Sequence, residues 1–347
     1  MMNKKHFTAM MQIALLAWSG ATLAAGKVYV ANEGASSVNI LDADSLQIAT
    51  KVSVGSMPHN VQVSPDGKSV WVTNSGSVDK KMAMSGQMDM HGDAHQHAGA
   101  KPGEVWVIDT QSNAITGKAV VGHHPAHVVL SRDGQSAYVT NSGDNTVSVI
   151  DAQKMRNTAL IQVGSFPHGL RVSPDGREIY VANMKGGNVS VIDTATNTEK
   201  MKIEAGKMPA QVAFTPDGKT VFVSLSGENA VAAIDTTSHK VVKKISVGPG
   251  PIQLFATPDS STVLVANQGS KEKPGNSVSV IDVAALQVRQ TIPTGSGAHG
   301  VVVDKDGRYA YVTNAFAHSV SMIDIKAGKV LKTTDVDMDP NGISWGQ

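Results

Sequence analysis

The sequence predicts an all-β protein, a seven-bladed β-propeller with four-stranded blades. Two observations predict it. A unit built only of strand and turn signals recurs along the chain, and its spacing of about 42 residues is the length of one propeller blade. The recurring Asn-type position occurs seven times, at Asn32, Asn74, Asn141, Asn183, Leu225, Asn267 and Asn314.

Each repeat contains the signals for four short strands. Residues 61–63 and 70–72 are β-branched or aromatic runs that flank the turn Ser-Pro-Asp-Gly at residues 64–67. Proline presets φ and Asp-Gly favours a tight reversal, so this segment predicts a hairpin. Residues 105–108 and their equivalents predict the third strand, and residues 52–54 and their equivalents predict the outermost one.

The repeat begins and ends in the middle of a blade. Residues 26–54 supply only three strand signals, and residues 342–345 at the end of the chain supply the missing innermost strand. The two segments therefore share one blade that closes the ring and leaves no open sheet edge. The predicted blades are 336–347 with 26–54, then 55–121, 122–163, 164–205, 206–247, 248–294 and 295–335.

Four of the repeats carry the motif Tyr-Val-Thr/Ala-Asn, at residues 29–32, 138–141, 180–183 and 311–314. In this motif the chain resembles the YVTN-repeat β-propeller family over nearly its whole mature length. The resemblance implies the propeller fold and an exported protein. It does not imply one activity, because that family includes surface-layer proteins, lactonases and redox-enzyme domains.

The first 25 residues predict a secretory signal peptide. Lys4 and Lys5 give a basic start, residues 13–18 are apolar, and Ala24-Ala25 suits cleavage. We therefore expect residues 26–347 to form an exported, periplasmic or secreted propeller with no membrane span after signal removal. The chain has no cysteine, which excludes thiolate metal sites, and its net charge is close to zero, which gives no reason to expect nucleic-acid binding.

Two insertions interrupt the repeat. The shorter, residues 268–276, is rich in Gly, Lys, Glu and Ser and predicts a solvated loop. The longer, residues about 75–104, is rich in Met and His and lacks hydrophobic periodicity. Its candidate metal ligands are Met82, Met84, Met88, Met90, His91, His95 and His97.

This longer insertion predicts a copper site. Thioether sulfur suits Cu(I), and imidazole suits copper, zinc and nickel. The segment also resembles the Met/His-rich segments of bacterial periplasmic copper-handling proteins. Copper is therefore the preferred ion, with zinc or nickel as alternatives, and a low-complexity loop that binds nothing is the competing interpretation.

A second set of candidate ligands lies where the innermost strands begin, around one mouth of the central channel. The residues at this position are Asn341, His59, Ala126, His168, Ala210, Ile252 and His299. His123 and His124 precede one of these strands and are added to the candidate metal ligands. His127, one place further along, is expected to point away from the channel. The alternative is that each histidine only hydrogen-bonds nearby backbone.

Three functions are compatible with this sequence. We favour an exported propeller that binds metal, preferably copper, for periplasmic buffering or delivery, with a further envelope protein as a possible partner. The alternatives are a protein-interaction scaffold and a lactonase-like hydrolase that uses Glu33, Asp144 or Glu228 with a histidine. No catalytic motif is present and these acids lie in predicted turns, so we assign no catalytic residue.

Overall fold

The computed structural model describes residues 26–76 and 101–347. These residues form seven four-stranded antiparallel sheets, which confirms the predicted seven-bladed propeller. The only helical element in this part of the chain is one short 3-10 turn, Glu33–Ala35, and no helix there is long and apolar enough to cross a membrane. The predicted signal peptide lies outside the described residues.

The strands are named in chain order, and each blade contributes one strand to each of four concentric rings. The innermost ring consists of β4 (Pro58–Val63), β8 (Pro125–Leu130), β12 (Pro167–Val172), β16 (Pro209–Phe214), β20 (Pro251–Ala256), β24 (Ala298–Val303) and β28 (Pro340–Gly346). The second ring consists of β1 (Lys27–Asn32), β5 (Ser69–Asn74), β9 (Ser136–Asn141), β13 (Glu178–Asn183), β17 (Thr220–Leu225), β21 (Thr262–Gly269) and β25 (Tyr309–Asn314).

The two outer rings follow the same order around the propeller. The third ring consists of β2 (Ser37–Asp42), β6 (Glu104–Asp109), β10 (Thr146–Asp151), β14 (Asn188–Asp193), β18 (Ala230–Asp235), β22 (Pro274–Asp282) and β26 (Ser319–Asp324). The outermost ring consists of β3 (Ile48–Ser53), β7 (Ile115–Val120), β11 (Arg156–Gln162), β15 (Thr198–Glu204), β19 (Lys240–Ser246), β23 (Gln287–Pro293) and β27 (Lys329–Asp335).

The ring closes through the blade that joins both ends of the described chain. Strand β28 pairs antiparallel with β1, with Val28 opposite Trp345 and Val30 opposite Ile343. Each innermost strand also contacts the innermost strands of the two neighbouring blades, so the seven of them surround one central channel. The predicted closure by the end of the chain is therefore confirmed.

The core lies between the blades, because each sheet packs one face against the next sheet. One such cluster joins Val129 and Tyr138 of the third blade to Leu170 and Ile179 of the fourth, and all four side chains are almost fully buried. The alternation of apolar residues along each strand produces these clusters, since successive side chains point to opposite faces of a sheet.

The shorter insertion is only in part the solvated loop that its composition predicts, because just residues 270–273 form an exposed connection. Strands β21 and β22 continue past the usual length, and Gly269 pairs with Pro274 at the end of the hairpin. Gly269 has a φ of 69°, which glycine adopts without a steric cost. The added residues therefore lengthen a β-hairpin, and this register could not be seen in a stretch rich in Gly, Lys and Glu.

The recurring asparagine stabilises its own blade. Asn141 is fully buried, and its Nδ2 donates to Thr146 Oγ1 and Ser148 Oγ, each at 2.9 Å. Its Oδ1 accepts a 3.0 Å bond from the backbone N–H of Gly122 in the preceding connection. The side chain thus ties the second and third strands of one blade to the segment that enters it.

We expect Asn141→Ala to destabilise the protein by about 2 kcal/mol or more, because the buried N–H of Gly122 loses its acceptor. Urea unfolding followed by circular dichroism measures the change. Gln153→Ala, at an exposed turn of the same blade, is the matched control and should change stability by less than about 0.5 kcal/mol. Equal effects of the two substitutions would contradict the structural role of Asn141.

Candidate functional site

A β-bulge at the start of each innermost strand directs side chains toward the channel. In the third blade Pro125 pairs with Asn141, but Val128 pairs with Val139, so one extra residue is accommodated between them. The same register shift occurs in the other six blades. A bulge re-aims the side chains that it contains, so two successive positions per blade, rather than one, contribute to the channel mouth.

The second of these positions carries only polar residues or glycine. Its members are Asn60, His127, Gly169, Gln211, Gln253, Gly300 and Gly342. Glycine makes room where polar side chains from nearby blades meet. A Cβ on Gly169 would lie 2.2 Å from Gln211 Oε1, so only glycine lets Gln211 cross this blade and reach His127.

Two histidines from different blades meet at the channel mouth. The Nε2 atoms of His59 and His168 lie 3.1 Å apart, and their ring centroids are 5.2 Å apart. The blade between them presents Ala126 at the equivalent position, and this small side chain does not separate the two rings. The two histidines therefore meet although they are not on adjacent blades.

The other ring nitrogen of each histidine already has an acceptor. Nδ1 of His168 donates to the carbonyl oxygen of Ala210 at 2.9 Å, and Nδ1 of His59 lies 3.3 Å from Glu33 Oε2. Glu33 is held in place because its Oε2 also accepts a hydrogen bond from the side-chain amide of Asn341. A protonated Nδ1 leaves the Nε2 of a neutral imidazole with a lone pair. Both lone pairs of this pair are therefore directed at each other.

This arrangement requires a cation between the two rings. Two lone pairs at 3.1 Å repel unless a proton or a metal ion lies between them. The separation is also close to that of two nitrogen ligands on one ion, given metal–nitrogen bonds of about 2.0–2.1 Å. Backbone carbonyls and carboxylates that hold the Nδ1–H are the usual partners of metal-binding histidines. The pair therefore has the geometry and the outer hydrogen bonds of a metal-binding site.

His127 is a third member of this cluster, and the expectation that it points away from the channel is wrong. Its ring centroid lies 4.8 Å from that of His168 and 5.7 Å from that of His59. One ring nitrogen of each of the three histidines lies within 4.8 Å of the others. The bulge is the physical reason, since it breaks the simple alternation on which the expectation depended.

The hydrogen bonding of His127 is incomplete. Its Nδ1 lies 3.3 Å from the amide Nε2 of Gln211, whose Oε1 accepts the backbone N–H of Val212 at 2.9 Å. The amide therefore donates to Nδ1, and the proton of the neutral ring is on Nε2. This Nε2 is buried and has no hydrogen-bond partner in the structure. A buried N–H without an acceptor is costly, and this nitrogen can bind a metal ion only after its proton has moved to Nδ1.

Burial keeps three histidines of the channel mouth, His127, His168 and His299, neutral. Desolvation, followed by the nearby His59, lowers the pKa of His168 to about 3. The same two causes lower the pKa of His299 to about 4. Desolvation also holds the pKa of His127 well below its usual range, with repulsion from His168 second. These imidazoles stay unprotonated at neutral pH, which is the state that ligates metals.

The remaining predicted ligands lie at different distances from this cluster. His299 is its neighbour, with its ring centroid 6.2 Å from that of His59 and its Nδ1 3.1 Å from the carbonyl oxygen of Asn341. His123 instead lies 2.9 Å from Asp144 Oδ1, and neither His123 nor His124 belongs to the three-histidine group. The predicted ligands of the longer insertion lie outside the described residues, namely Met82, Met84, Met88, Met90, His91, His95 and His97.

The three acids considered for catalysis are all engaged with other groups. Glu33 lies beside His59, Asp144 lies beside His123, and Glu228 forms a 2.9 Å ion pair with Lys244. They lie in turns, as predicted, and each is paired with another side chain. Of the three, only Glu33 touches the histidine cluster, where it orients a ring rather than presenting a free carboxylate.

The role of His127 had a signal in the sequence. Seven repeats place a polar residue or glycine immediately after the channel-mouth position, although the next position along the strand is apolar in every repeat. A strand position that is never apolar in any repeat does not face the core. Comparing the repeats column by column would therefore have added His127 to the candidate ligands.

The fold and this cluster define a β-propeller with a histidine-lined channel mouth. The family model described as SMP-30/Gluconolactonase/LRE-like region matches residues 4–240, more than half of the chain, and the chain belongs to this family. A second model, described as YNCE-like beta-propeller, matches residues 186–346. The resemblance to YVTN repeats stays a prediction, since neither model carries that description.

Solved structures share the fold at low sequence identity. Hydrazine synthase from Kuenenia stuttgartiensis is 23% identical, with a TM-score of 0.69 over 82% of this chain and 88% of that one. A functionally unknown protein from Desulfotomaculum acetoxidans is 16% identical, with a TM-score of 0.75 over 92% and 99%. A putative 6-phosphogluconolactonase from Bacteroides fragilis is 15% identical, with a TM-score of 0.73 over 94% and 99%. No curated protein sequence matches the chain significantly.

We expect the metal-free protein to lose stability as the pH falls below about 6.5, where histidines of an unfolded chain become protonated. His168 and His299 do not accept a proton in the folded protein until pH values of about 3 and about 4. The unfolded state therefore binds more protons, and acidification to about pH 4.5 should cost roughly 2 kcal/mol for each histidine. Urea unfolding between pH 7.5 and pH 4.5 measures this loss.

His168→Gln should flatten the pH dependence, because it removes one of the depressed groups. His239→Gln is the control, since His239 lies away from the channel with its Nδ1 2.9 Å from the hydroxyl of Tyr180. An unchanged pH dependence in the His168→Gln protein would show that this histidine is not held neutral by burial.

Proposed function

We propose that this protein binds a first-row transition-metal ion at the mouth of its propeller channel. His59 and His168 supply two ligands through Nε2. His127 supplies a third nitrogen beside them when its proton moves from Nε2 to Nδ1 and the Gln211 amide turns its oxygen to accept it. The observation that carries the proposal is the 3.1 Å contact between two Nε2 atoms whose Nδ1 atoms are already hydrogen-bonded. His299 lies next to this set and bounds it on the side of the closing blade.

The chemistry of the ligands favours an imidazole-binding metal. Three neutral imidazoles suit zinc, copper or nickel and are a poor match for calcium or magnesium, which take oxygen ligands. Three protein ligands also leave one coordination position open, the arrangement found in sites that exchange a ligand rather than in closed structural sites.

We propose copper as the physiological ion and export as its context. Support comes from the sequence, where the Met- and His-rich composition of residues 82–97 suits copper in either oxidation state, and where residues 1–25 have the pattern of a signal peptide. In this proposal the protein buffers copper in the periplasm or passes it to an envelope protein. Zinc and nickel are the alternative ions.

A metal-dependent hydrolase is the second candidate function. Membership of the SMP-30/Gluconolactonase/LRE-like family and the open coordination position support it. In this alternative the metal would polarise a lactone carbonyl or activate a water molecule. Turnover of simple lactones by the metal-loaded protein, abolished by chelation and restored by metal, would distinguish the hydrolase from a metal-binding protein without catalysis.

We expect His59→Ala and His168→Ala each to weaken metal affinity by at least 100-fold, because each removes one of two facing nitrogens. Competition titrations with Cu(I), Cu(II) and Zn(II) chelators measure the affinities. His239→Ala, whose ring lies beside Tyr180 and away from the channel, is the matched control and should bind like the wild-type protein.

The same titrations on a protein that lacks residues 80–100 separate the two candidate copper sites. If the channel cluster is a site, this deletion leaves one tight ion per chain that the His59→Ala substitution then removes. Loss of all tight binding with the deletion alone would contradict a channel site and assign copper to the insertion.

We expect Gln211→Glu to raise metal affinity by about 10- to 100-fold. Nδ1 of His127 lies 3.3 Å from the amide of Gln211, which donates to it and so opposes ligation through Nε2. A carboxylate at this position would accept the Nδ1–H, leave the lone pair on Nε2, and add a negative charge beside the ion. Chelator competition measures the gain.

Gln253→Glu is the matched control, because Gln253 has the same position in another blade and its amide nitrogen contacts no hydrogen-bond acceptor. A gain specific to Gln211→Glu supports His127 as a ligand. An equal gain in both proteins would indicate only a general effect of negative charge, and no gain in either would exclude His127 from the first coordination shell.

A further inference from the structure

The inner wall of the propeller carries no acidic residue. The seven innermost strands contain no Asp or Glu, and Arg171 on β12 is their single Arg or Lys. This residue is three places beyond His168 on the same strand. A cationic side chain in a wall of neutral residues is unusual, since buried charges are normally paired.

Arg171 has no carboxylate partner in the described part of the chain. None of the ion pairs within residues 26–76 and 101–347 includes it. Its Nη1 donates to the carbonyl oxygen of Leu170 at 3.0 Å, which uses one of the five N–H groups of the guanidinium. Burial lowers its pKa to about 10, so the group remains charged at neutral pH.

The guanidinium lies within electrostatic reach of the histidine cluster. Its charge contributes to lowering the pKa of His127, after desolvation and the two neighbouring histidines. Arg171 lies on the same strand as His168, three residues further along it, and the bond to the carbonyl of Leu170 holds its guanidinium at the backbone between the two positions.

Loading the cluster with a metal ion would increase this unbalanced positive charge. Among the described residues, Glu33 is the carboxylate that contacts the three-histidine group, through His59, and it also accepts from Asn341. On the same wall, the amide Nε2 of Gln253 is buried without a partner. A divalent ion, a guanidinium and an unsatisfied amide donor all favour a negatively charged ligand.

The geometry points to a binding site for a small carboxylate anion between the metal ion and Arg171. We infer that the anion occupies the open coordination position with one oxygen and accepts hydrogen bonds from Arg171 with the other. A carboxylate has two oxygens, so one can ligate the metal ion while the other accepts a charge-assisted hydrogen bond from the guanidinium. This inference rests on the proposed metal site and adds the class of its second ligand.

The test uses the mature protein loaded with Co(II), whose visible absorption reports changes in coordination. Titration with acetate should perturb the spectrum saturably. Arg171→Met should weaken acetate binding at least tenfold, because the guanidinium is lost. It should not weaken Co(II) binding, because the substitution removes a positive charge that repels the ion. Arg171→Lys keeps the charge without the planar fork and should fall between the two. Arg177→Met removes an exposed arginine of the same blade and should match the wild-type protein.

The outcomes separate this inference from the proposed function. If wild-type protein fails to bind Co(II), the metal site itself is wrong and the anion site is rejected with it. If Co(II) binds but acetate leaves its spectrum unchanged, only the anion site is rejected. Equal acetate affinities in wild-type and Arg171→Met proteins would also reject it, because the anion would then bind the metal without the guanidinium. If Arg171→Met does not fold, Arg171→Lys supplies the comparison, and an acetate affinity equal to that of the wild-type protein would then reject the site.

Discussion

Closure of seven sheets into a ring is the constraint on which the rest of this structure depends. It brings seven innermost strands to one narrow channel, so residues far apart in sequence share one small volume. The bulge that opens each of these strands then turns two side chains per blade toward the mouth. His59 and His168 meet there although a whole blade lies between them.

The repeats use small residues to let large ones meet. Ala126 leaves space between His59 and His168, and Gly169 leaves the passage through which Gln211 reaches His127. The blades share one backbone plan, and the differences among them at two positions determine where the polar groups converge. A site of this kind needs no insertion and no new loop. It arises from substitution within the repeat, which is how propellers of one fold come to support unrelated functions.

The charged and titratable side chains of the channel follow one electrostatic pattern. Burial opposes protonation of His127, His168 and His299, and the Nε2 atoms of His59 and His168 lie 3.1 Å apart. Arg171 lies further along the same strand as His168, in a wall without acids. A metal ion at the mouth, as proposed, and this guanidinium would make the space between them favourable for an anion. The proposed metal site and the proposed anion site would then be two parts of one charge arrangement.

The sequence by itself determined the number of blades, the shared closing blade and the candidate histidines His59, His168 and His299, because these follow from periodicity and from a position repeated in every unit. It could not determine which histidines meet. Their distances depend on the channel radius, on the size of intervening residues and on the bulge, which reverses the expected direction of His127. It also gave no sign that residues 268–276 extend a hairpin, since register is decided by pairing across strands. Local patterns fix strands and turns, whereas contacts between blades are fixed only when the ring closes.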